Sequence, residues 1–298
     1  MRVVGFILLL LLLSGAIFFT IHSGDERVAL WDKPLEEKVE GEVTILALGR
    51  IAEGQGGTWH AAPNLTDAIV VIDYRPDSGV INLVSLPRDL YGEFGGEVFK
   101  VNEVYERGKI EAFMEKLPEI IGIPVKNFLI VDADIIKATV DGLGGIDIDT
   151  DEPVTDSVSG YTLEPGSHHL NGEDIIWLMR NRQSPEGDFF REKNQHAVIE
   201  AIFNKINSLS TQERTSFLLK TIPYAQNTEK NFAFGELVPR FEDVSGAKFN
   251  SITLNFSTGL LESSYVPVNA STSEYVLLPN AGINNYSAIR EFVEERIK

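Results

Sequence analysis

Four arginines, Arg88, Arg180, Arg182 and Arg191, stand in or beside loop-like stretches of a chain in which 44 acidic residues outweigh 26 basic ones. A guanidinium is a flat fork of N–H donors that grips two phosphate oxygens at once, so several forks gathered at one point suit a polyphosphate ligand. Two carboxylates, Asp67 and Asp89, flank short apolar runs. In that position they can hold Mg²⁺, which takes one or two carboxylates together with phosphate oxygens, or accept a proton from an attacking hydroxyl. The combination points to phosphoryl-group chemistry. Two simpler readings stay open on spacing alone. Arg88 and Asp89 can form a local ion pair in a solvated loop, and Arg180 and Arg182 can complement the end of a helix dipole, worth under about 1 kcal/mol.

The element that must position Arg88 and Asp89 is Val80-Ile-Asn-Leu-Val-Ser-Leu86. Its run of apolar, β-prone residues reads as a strand buried on both faces, and Pro87 ends it because proline cannot donate to a sheet ladder. Arg88 and Asp89 therefore fall at a strand's carboxyl edge, where open α/β sheets bind ligands. On a continuous helix Arg180 and Arg182 would project about 200° apart. Pro185 and Gly187 predict that the helix stops near Arg180, so that both arginines can turn toward one point.

Further strands are predicted at Val43 to Leu48, Ala68 to Ile72, Phe128 to Val131, Ile146 to Asp151, Ser251 to Phe256 and Tyr275 to Leu278. Helices are expected over Glu103 to Leu117, Asp134 to Leu143, Glu173 to Arg180, Arg191 to Leu209, Thr211 to Ile222, Phe234 to Phe241 and Ser287 to Lys298. Asn171 caps the third of these, with Asp174 as its acidic partner. Gly49 to Gly57 lacks the Lys and Ser/Thr of a phosphate loop and reads as a flexible connection. The acidic start of Ile146 to Asp151 imitates a calcium loop, but Glu152 and Val158 occupy the positions that need Gly and Glu. His168 and His169 read as a surface turn.

The formal net charge of -18 argues against backbone-tracking nucleic-acid binding, which needs surplus cations. With no cysteine, disulfides, thiolate zinc sites and cysteine nucleophiles are excluded. Val3 to Ile21 is an almost unbroken apolar run of about nineteen residues, long enough to cross a bilayer as a helix. Arg2 before it and Asp25-Glu26 after it predict a cytoplasmic amino terminus with everything else outside, and the lack of a small-x-small cleavage site favours an uncleaved anchor over the competing reading, a cleaved signal peptide. The expected organisation is an anchor over 1–22, a juxtamembrane spacer over 23–41 and one domain over 42–298, with the motifs confined to 43–209 and a looser continuation over 210–298.

The charged stretches, taken in order, resemble the LytR-CpsA-Psr family of bacterial envelope proteins. The resemblance is carried by Thr66-Asp67 before a strand, Ser85-Leu-Pro-Arg-Asp89, Lys100-Val-Asn102 and Val140-Asp-Gly-Leu-Gly-Gly-Ile-Asp147. Leu170-Asn-Gly172, Arg180-Asn-Arg182 and Asp188-Phe-Phe-Arg191 with Gln195 complete it. It implies an α/β fold with a central mixed β-sheet flanked by helices, behind one transmembrane helix. It also implies a phosphotransferase that moves a glycopolymer such as teichoic acid, capsule or arabinogalactan from a polyprenyl-pyrophosphate carrier to peptidoglycan.

By position, the resemblance assigns Arg88, Arg180, Arg182, Arg191 and Gln195 to the pyrophosphate, with Arg88, Asp89 and Arg182 at the reacting centre. Asp67 and Asp89 would serve Mg²⁺, or Mn²⁺ in its place. The implied partners are the lipid-linked glycopolymer, the peptidoglycan acceptor and the cell membrane. The competing expectations are a non-catalytic binder of polyprenyl phosphates or anionic polymers and a polyprenyl-pyrophosphate hydrolase. Transcriptional attenuation, historically attached to the family name, conflicts with the outward topology and the negative charge. The family usually has Arg directly before the Gln, and here that residue is Asn194.

Overall fold

The computed structural model describes residues 43–50, 64–155, 160–182, 184, 187–210, 212–213, 216–217, 220–221, 228–232, 246–269 and 271–298. The predicted anchor and spacer lie outside these residues. So do most of the glycine-rich loop, the helix expected over Phe234 to Phe241 and half of the residues of the one over Thr211 to Ile222.

Strands β1 (Val43–Arg50), β2 (Thr66–Arg75) and β3 (Val80–Ser85) form an antiparallel meander. β6 (Asn127–Asp132) joins β1 in parallel, and β11 (Lys248–Thr253) joins β3 in parallel. The result is a five-stranded mixed sheet in the order β11-β3-β2-β1-β6. Outside it, β4 (Tyr91–Phe94) pairs with β5 (Glu97–Lys100) and β8 (Val154–Thr155) with β9 (Thr162–Leu163), both antiparallel. The strand directions in the central sheet bring the carboxyl ends of β1, β3, β6 and β11 and the amino end of β2 to one edge. Asp67, early in β2, is thereby brought to the same edge as Arg88, just past β3. All six residues of β3 are buried, and the chain leaves the ladder at Pro87.

One sheet face carries Leu46, Leu48, Ile69, Val71 and Val84 and packs on α1 (Ile110–Ile121) and α5 (Ser287–Glu294) through Phe113, Leu117, Ile289 and Val293. The other carries Val43, Ile45, Ile72, Ile81 and Leu83, covered by Ile135 of α2 (Ala133–Gly142) and Phe203 of α4 (Asp188–Ser208). A third apolar cluster joins α4 to α2, to α3 (Gly172–Arg180) and to the hairpin of β7 (Ile146–Thr150) with β10 (Gly166–Leu170). α4 is thus pressed between the sheet and an outer layer. Its spacing sets Glu192, His196, Ile199 and Phe203 in one row and Arg191, Gln195, Val198, Ile202 and Ile206 in another.

Several expectations need correction. The helix predicted over Glu103 to Leu117 starts only at Ile110. Gly108 has φ +63°, and this left-handed turn separates a short 3₁₀ turn, Val101–Glu103, from α1. His168 and His169 lie in strand β10 rather than a turn, and His169 Nδ1 is 2.6 Å from Asp147 Oδ1 on β7. β7 itself is a strand with Asp147 and Asp149 on its exposed face, as the alternation predicts. The cap of α3 also agrees with prediction: the Asn171 side chain accepts from the Glu173 and Asp174 N–H groups, and the Asp174 carboxylate accepts from Asn171 N–H. In the carboxyl-terminal part the strand predicted at Tyr275 to Leu278 is present as β13 (Ser273–Pro279), and a strand absent from the expectations, β12 (Leu261–Pro267), pairs with it in a hairpin beside the central sheet's ligand edge.

Candidate active site

Arg88 is the hub of this edge. Its Nη1 is hydrogen-bonded to Asp67 Oδ1, its Nε donates to Asp188 Oδ2 at 3.1 Å, and Asp89 Oδ2 lies 3.4 Å from the same Nε. Asp188 comes from the first turn of α4, so one guanidinium links three separate segments. Two backbone bonds hold the loop that carries it: Asn102 N–H donates to the Arg88 carbonyl at 3.0 Å, and Leu277 N–H donates to the Asp89 carbonyl at 2.8 Å.

Arg182 follows directly on α3, which ends at Arg180 with Asn181 extended as its cap. Its Nε lies 2.9 Å from Asp188 Oδ1 and its Nη2 3.8 Å from Asp67 Oδ1. Arg191, one turn into α4, is only 2% exposed, and its Nη1 lies 3.5 Å from Asp188 Oδ1. Its Nε and Nη1 are buried without a hydrogen-bond partner. Unpaired buried donors are costly, and a ligand that accepts hydrogen bonds relieves that cost. Gln195 is buried one turn further along the same row.

Arg180 does not converge as expected. It is exposed and, among the described residues, pairs with none of these carboxylates. Because the chain extends straight after Arg180, only Arg182 is redirected to the sheet edge. Asn194, at the position where an arginine was expected, is half-buried and points to α3, donating from Nδ2 to the Leu178 carbonyl at 3.3 Å. That bond ties two helices together.

The electrostatics follow from burial and crowding. Burial raises the Asp67 carboxyl, but the neighbouring Arg88, Arg191 and Arg182 charges outweigh it and hold the group below its ordinary value. Burial lowers Arg191, and the repulsion of Arg182 and Arg88 adds to this against the attraction of Asp188. Arg88 moves the other way: burial lowers it, but Asp89, Asp188 and Asp67 together raise it. Behind the arginines the sheet-facing row of α4 continues the polar surface inward. Ser85 Oγ and His196 Nε2 are 2.7 Å apart and buried, and burial pulls His196 down to about 4 and pushes Glu192 up to about 8.

Sequence reasoning missed five contributors. Asp188 lay inside a quoted motif without a role, yet its carboxylate lies within 3.5 Å of Arg88, Arg182 and Arg191. Lys100, also in a motif, bridges Asp89 Oδ1 and Glu274 Oε2, each at 3.4 Å. The spacing of Glu192 and His196 by one helical turn was the available signal for the buried pair. Glu274 carried none.

Asp67 and Asp89 fit a hard divalent cation only in a particular way. Among the described residues no group of three or more His, Asp or Glu is placed to hold a metal. Two carboxylates suit an ion that completes its shell with phosphate oxygens and water, and Mg²⁺ and Mn²⁺ are such ions.

Comparison with known proteins adds three kinds of likeness. The LytR_cpsA_psr family model matches residues 20–277. Over 294 residues the chain is 26% identical to the regulatory protein MsrR of Staphylococcus aureus strain COL, which covers 95% of this chain and 83% of that protein. It is 26% identical over 232 residues to the polyisoprenyl-teichoic acid–peptidoglycan teichoic acid transferase TagU of Bacillus subtilis, covering 77% of this chain and 72% of TagU. The fold matches B. subtilis TagT with a TM-score of 0.62 at 18% identity, over 89% of this chain and 92% of that one. It also matches TagT bound to LIIa-WTA with a TM-score of 0.64 at 19% identity, over 88% and 92%. The family match, the ordered motifs and the shared fold lead to one conclusion: this chain belongs to the LytR-CpsA-Psr family.

Proposed function

We propose that the chain is a membrane-anchored phosphotransferase that moves a glycopolymer from a polyprenyl-pyrophosphate carrier to peptidoglycan or another cell-wall acceptor. The observation that carries this reading is Arg191, whose Nε and Nη1 are buried without a hydrogen-bond partner beside Arg88 and Arg182. Three forks at one sheet edge suit the two adjoining phosphates of a pyrophosphate. The relative TagU, named as a teichoic acid transferase, supports the same class of reaction. The apolar run Val3 to Ile21 would keep the domain at the membrane surface, on the outer side and within reach of a lipid carrier.

In this reading Arg88, Arg182 and Arg191 bind the pyrophosphate and stabilise the charge that builds on its bridging oxygen, with Gln195 in support. An acceptor hydroxyl gives its proton to Asp89 and attacks the phosphorus bonded to the glycan. The bond from that phosphorus to the bridging oxygen breaks, and polyprenyl monophosphate leaves. Asp67, its carboxyl held low by the arginines, is a poor base and suits the role of ligand and anchor for Arg88. Mg²⁺ held by Asp67 and Asp89 would neutralise phosphate charge when bound.

The test uses the full chain in detergent, a donor labelled at the glycan-side phosphate, peptidoglycan, and either Mg²⁺ or a chelator. The expected result is label in peptidoglycan with Mg²⁺ present, lost with chelator and in Asp89→Asn. Label released as soluble glycan phosphate would replace transfer by hydrolysis. Retention of all label on lipid would leave a binding protein.

A further inference from the structure

The hairpin β12–β13 presents an aromatic ledge at the edge of the arginine and carboxylate cluster. Tyr265 and Tyr275 are directly paired across the two strands, their ring centroids 5.8 Å apart in an edge-on arrangement. They are 68% and 37% exposed. The two-residue repeat puts Ser263 and Ser273, both exposed, on the same hairpin face as the tyrosines.

The ledge is tied to the reacting centre by two separate contacts. Leu277, two residues beyond Tyr275, donates its N–H to the Asp89 carbonyl at 2.8 Å. Glu274, just before Tyr275, shares Lys100 with the Asp89 carboxylate. The Tyr275 phenol is pushed up by burial and by the charges of Asp89 and Asp188, so it lies within their field. Cross-strand aromatic pairs do stabilise hairpins, but that need is met as well by packing inward. Here both rings are turned to water beside an acidic centre. A ring face is electron-rich and attracts the polarised C–H bonds of a pyranose, while neighbouring carboxylates and serine hydroxyls accept and donate to sugar hydroxyls.

We propose that Tyr265 and Tyr275 form a stacking subsite for a sugar ring of the acceptor glycan, which sets the acceptor hydroxyl against Asp89. The inference rests on the phosphotransferase reading for the identity of the ligand as acceptor. The carbohydrate site itself does not depend on turnover. The donor glycan is the other source of sugar rings, and the ledge favours the acceptor because it meets the cluster at Asp89, the proton-accepting side.

The probe is the neutral β-1,4-linked N-acetylglucosamine tetrasaccharide, titrated into the full chain in detergent by calorimetry. Wild type is expected to bind it, and Tyr275→Ala and Tyr265→Ala to weaken binding by about tenfold each. Tyr→Phe at either position should keep binding. Tyr→Leu, which retains apolar bulk on the strand, should lose it, separating stacking from collapse of the hairpin. Geranylgeranyl pyrophosphate binding should stay unchanged in all these variants. In the transfer assay the alanine variants should raise KM for peptidoglycan and leave KM for the donor unchanged. Wild-type failure to bind the tetrasaccharide, equal binding by the leucine variants, or a rise in donor KM alone would each overturn the subsite. Absence of transfer by wild type, with tyrosine-dependent tetrasaccharide binding intact, would overturn the phosphotransferase reading and uphold the carbohydrate site.

Discussion

Ser85 and His196 meet across the interface of sheet and helix, Oγ to Nε2 at 2.7 Å, with both side chains buried. Ser85 ends the strand that delivers Arg88, and His196 lies on the helix that delivers Asp188 and Arg191. Their hydrogen bond therefore sets the two halves of the arginine cluster against each other. Ser85→Ala or His196→Leu leaves the other partner buried and unpaired, and each should cost about 1 to 3 kcal/mol. The double variant should cost less than the sum, because no orphan remains. Urea unfolding of all four proteins checks this as a double-mutant cycle.

Two neighbours on the same row of α4 give opposite pH dependences. Burial pulls His196 from 6.5 down to about 4, so its contribution is full above about pH 6.5 and fades as the pH falls toward 4. Glu192 is pushed by burial from 4.5 up to about 8, against the nearby Arg191 and with help from Asp188. Its contribution is full below about pH 4.5 and is lost as the pH rises toward 8. Glu192→Gln should flatten the fall in thermal midpoint over that upper range. His196→Gln should flatten the acid limb and leave the upper range unchanged.

Removing Arg88 exposes three carboxylates to one another. Asp67 is held low chiefly by Arg88 among its neighbours, so its native charge contributes stability that is present above its ordinary pKa and lost as the pH falls below it. Arg88→Ala should lower stability at pH 7 by about 1 to 3 kcal/mol, and the loss should shrink progressively as the pH falls below the ordinary carboxylate range. Adding Asp67→Asn to that variant should restore part of the loss at pH 7. Denaturant midpoints across pH decide it. An equal loss at every pH would mean that Arg88 acts through packing.

Much of this site was legible in the chain, for local reasons. The apolar run to Leu86 followed by Pro87 announced both β3 and the loop that ends it, and Asn171 with Asp174 announced α3. The joint reading of Arg180 and Arg182 failed because the residue after a helix end can redirect the chain, and Asn181 turned only Arg182 inward. Asn194 looked like a missing phosphate ligand because a motif records positions in order and not directions; on α4 it faces α3. The tyrosine ledge had no local signal at all. It reaches Asp89 through a hairpin more than a hundred residues away in sequence, and exposed tyrosines on a strand pattern look the same wherever the strand is placed.

The most direct test of the account is the affinity of the full chain for geranylgeranyl pyrophosphate, measured by calorimetry for wild type and for Arg191→Ala. Among the described residues Arg191 is the guanidinium of the cluster that is almost fully buried, and two of its donors make no hydrogen bond. A charge-assisted contact of this kind is worth about 1.5 to 3 kcal/mol, so the variant should bind about ten to a hundred times more weakly. Binding of geranylgeraniol, which lacks the phosphates, should be the same in both proteins. Equal affinity of wild type and Arg191→Ala for the pyrophosphate would contradict the assignment of this sheet edge as a pyrophosphate site.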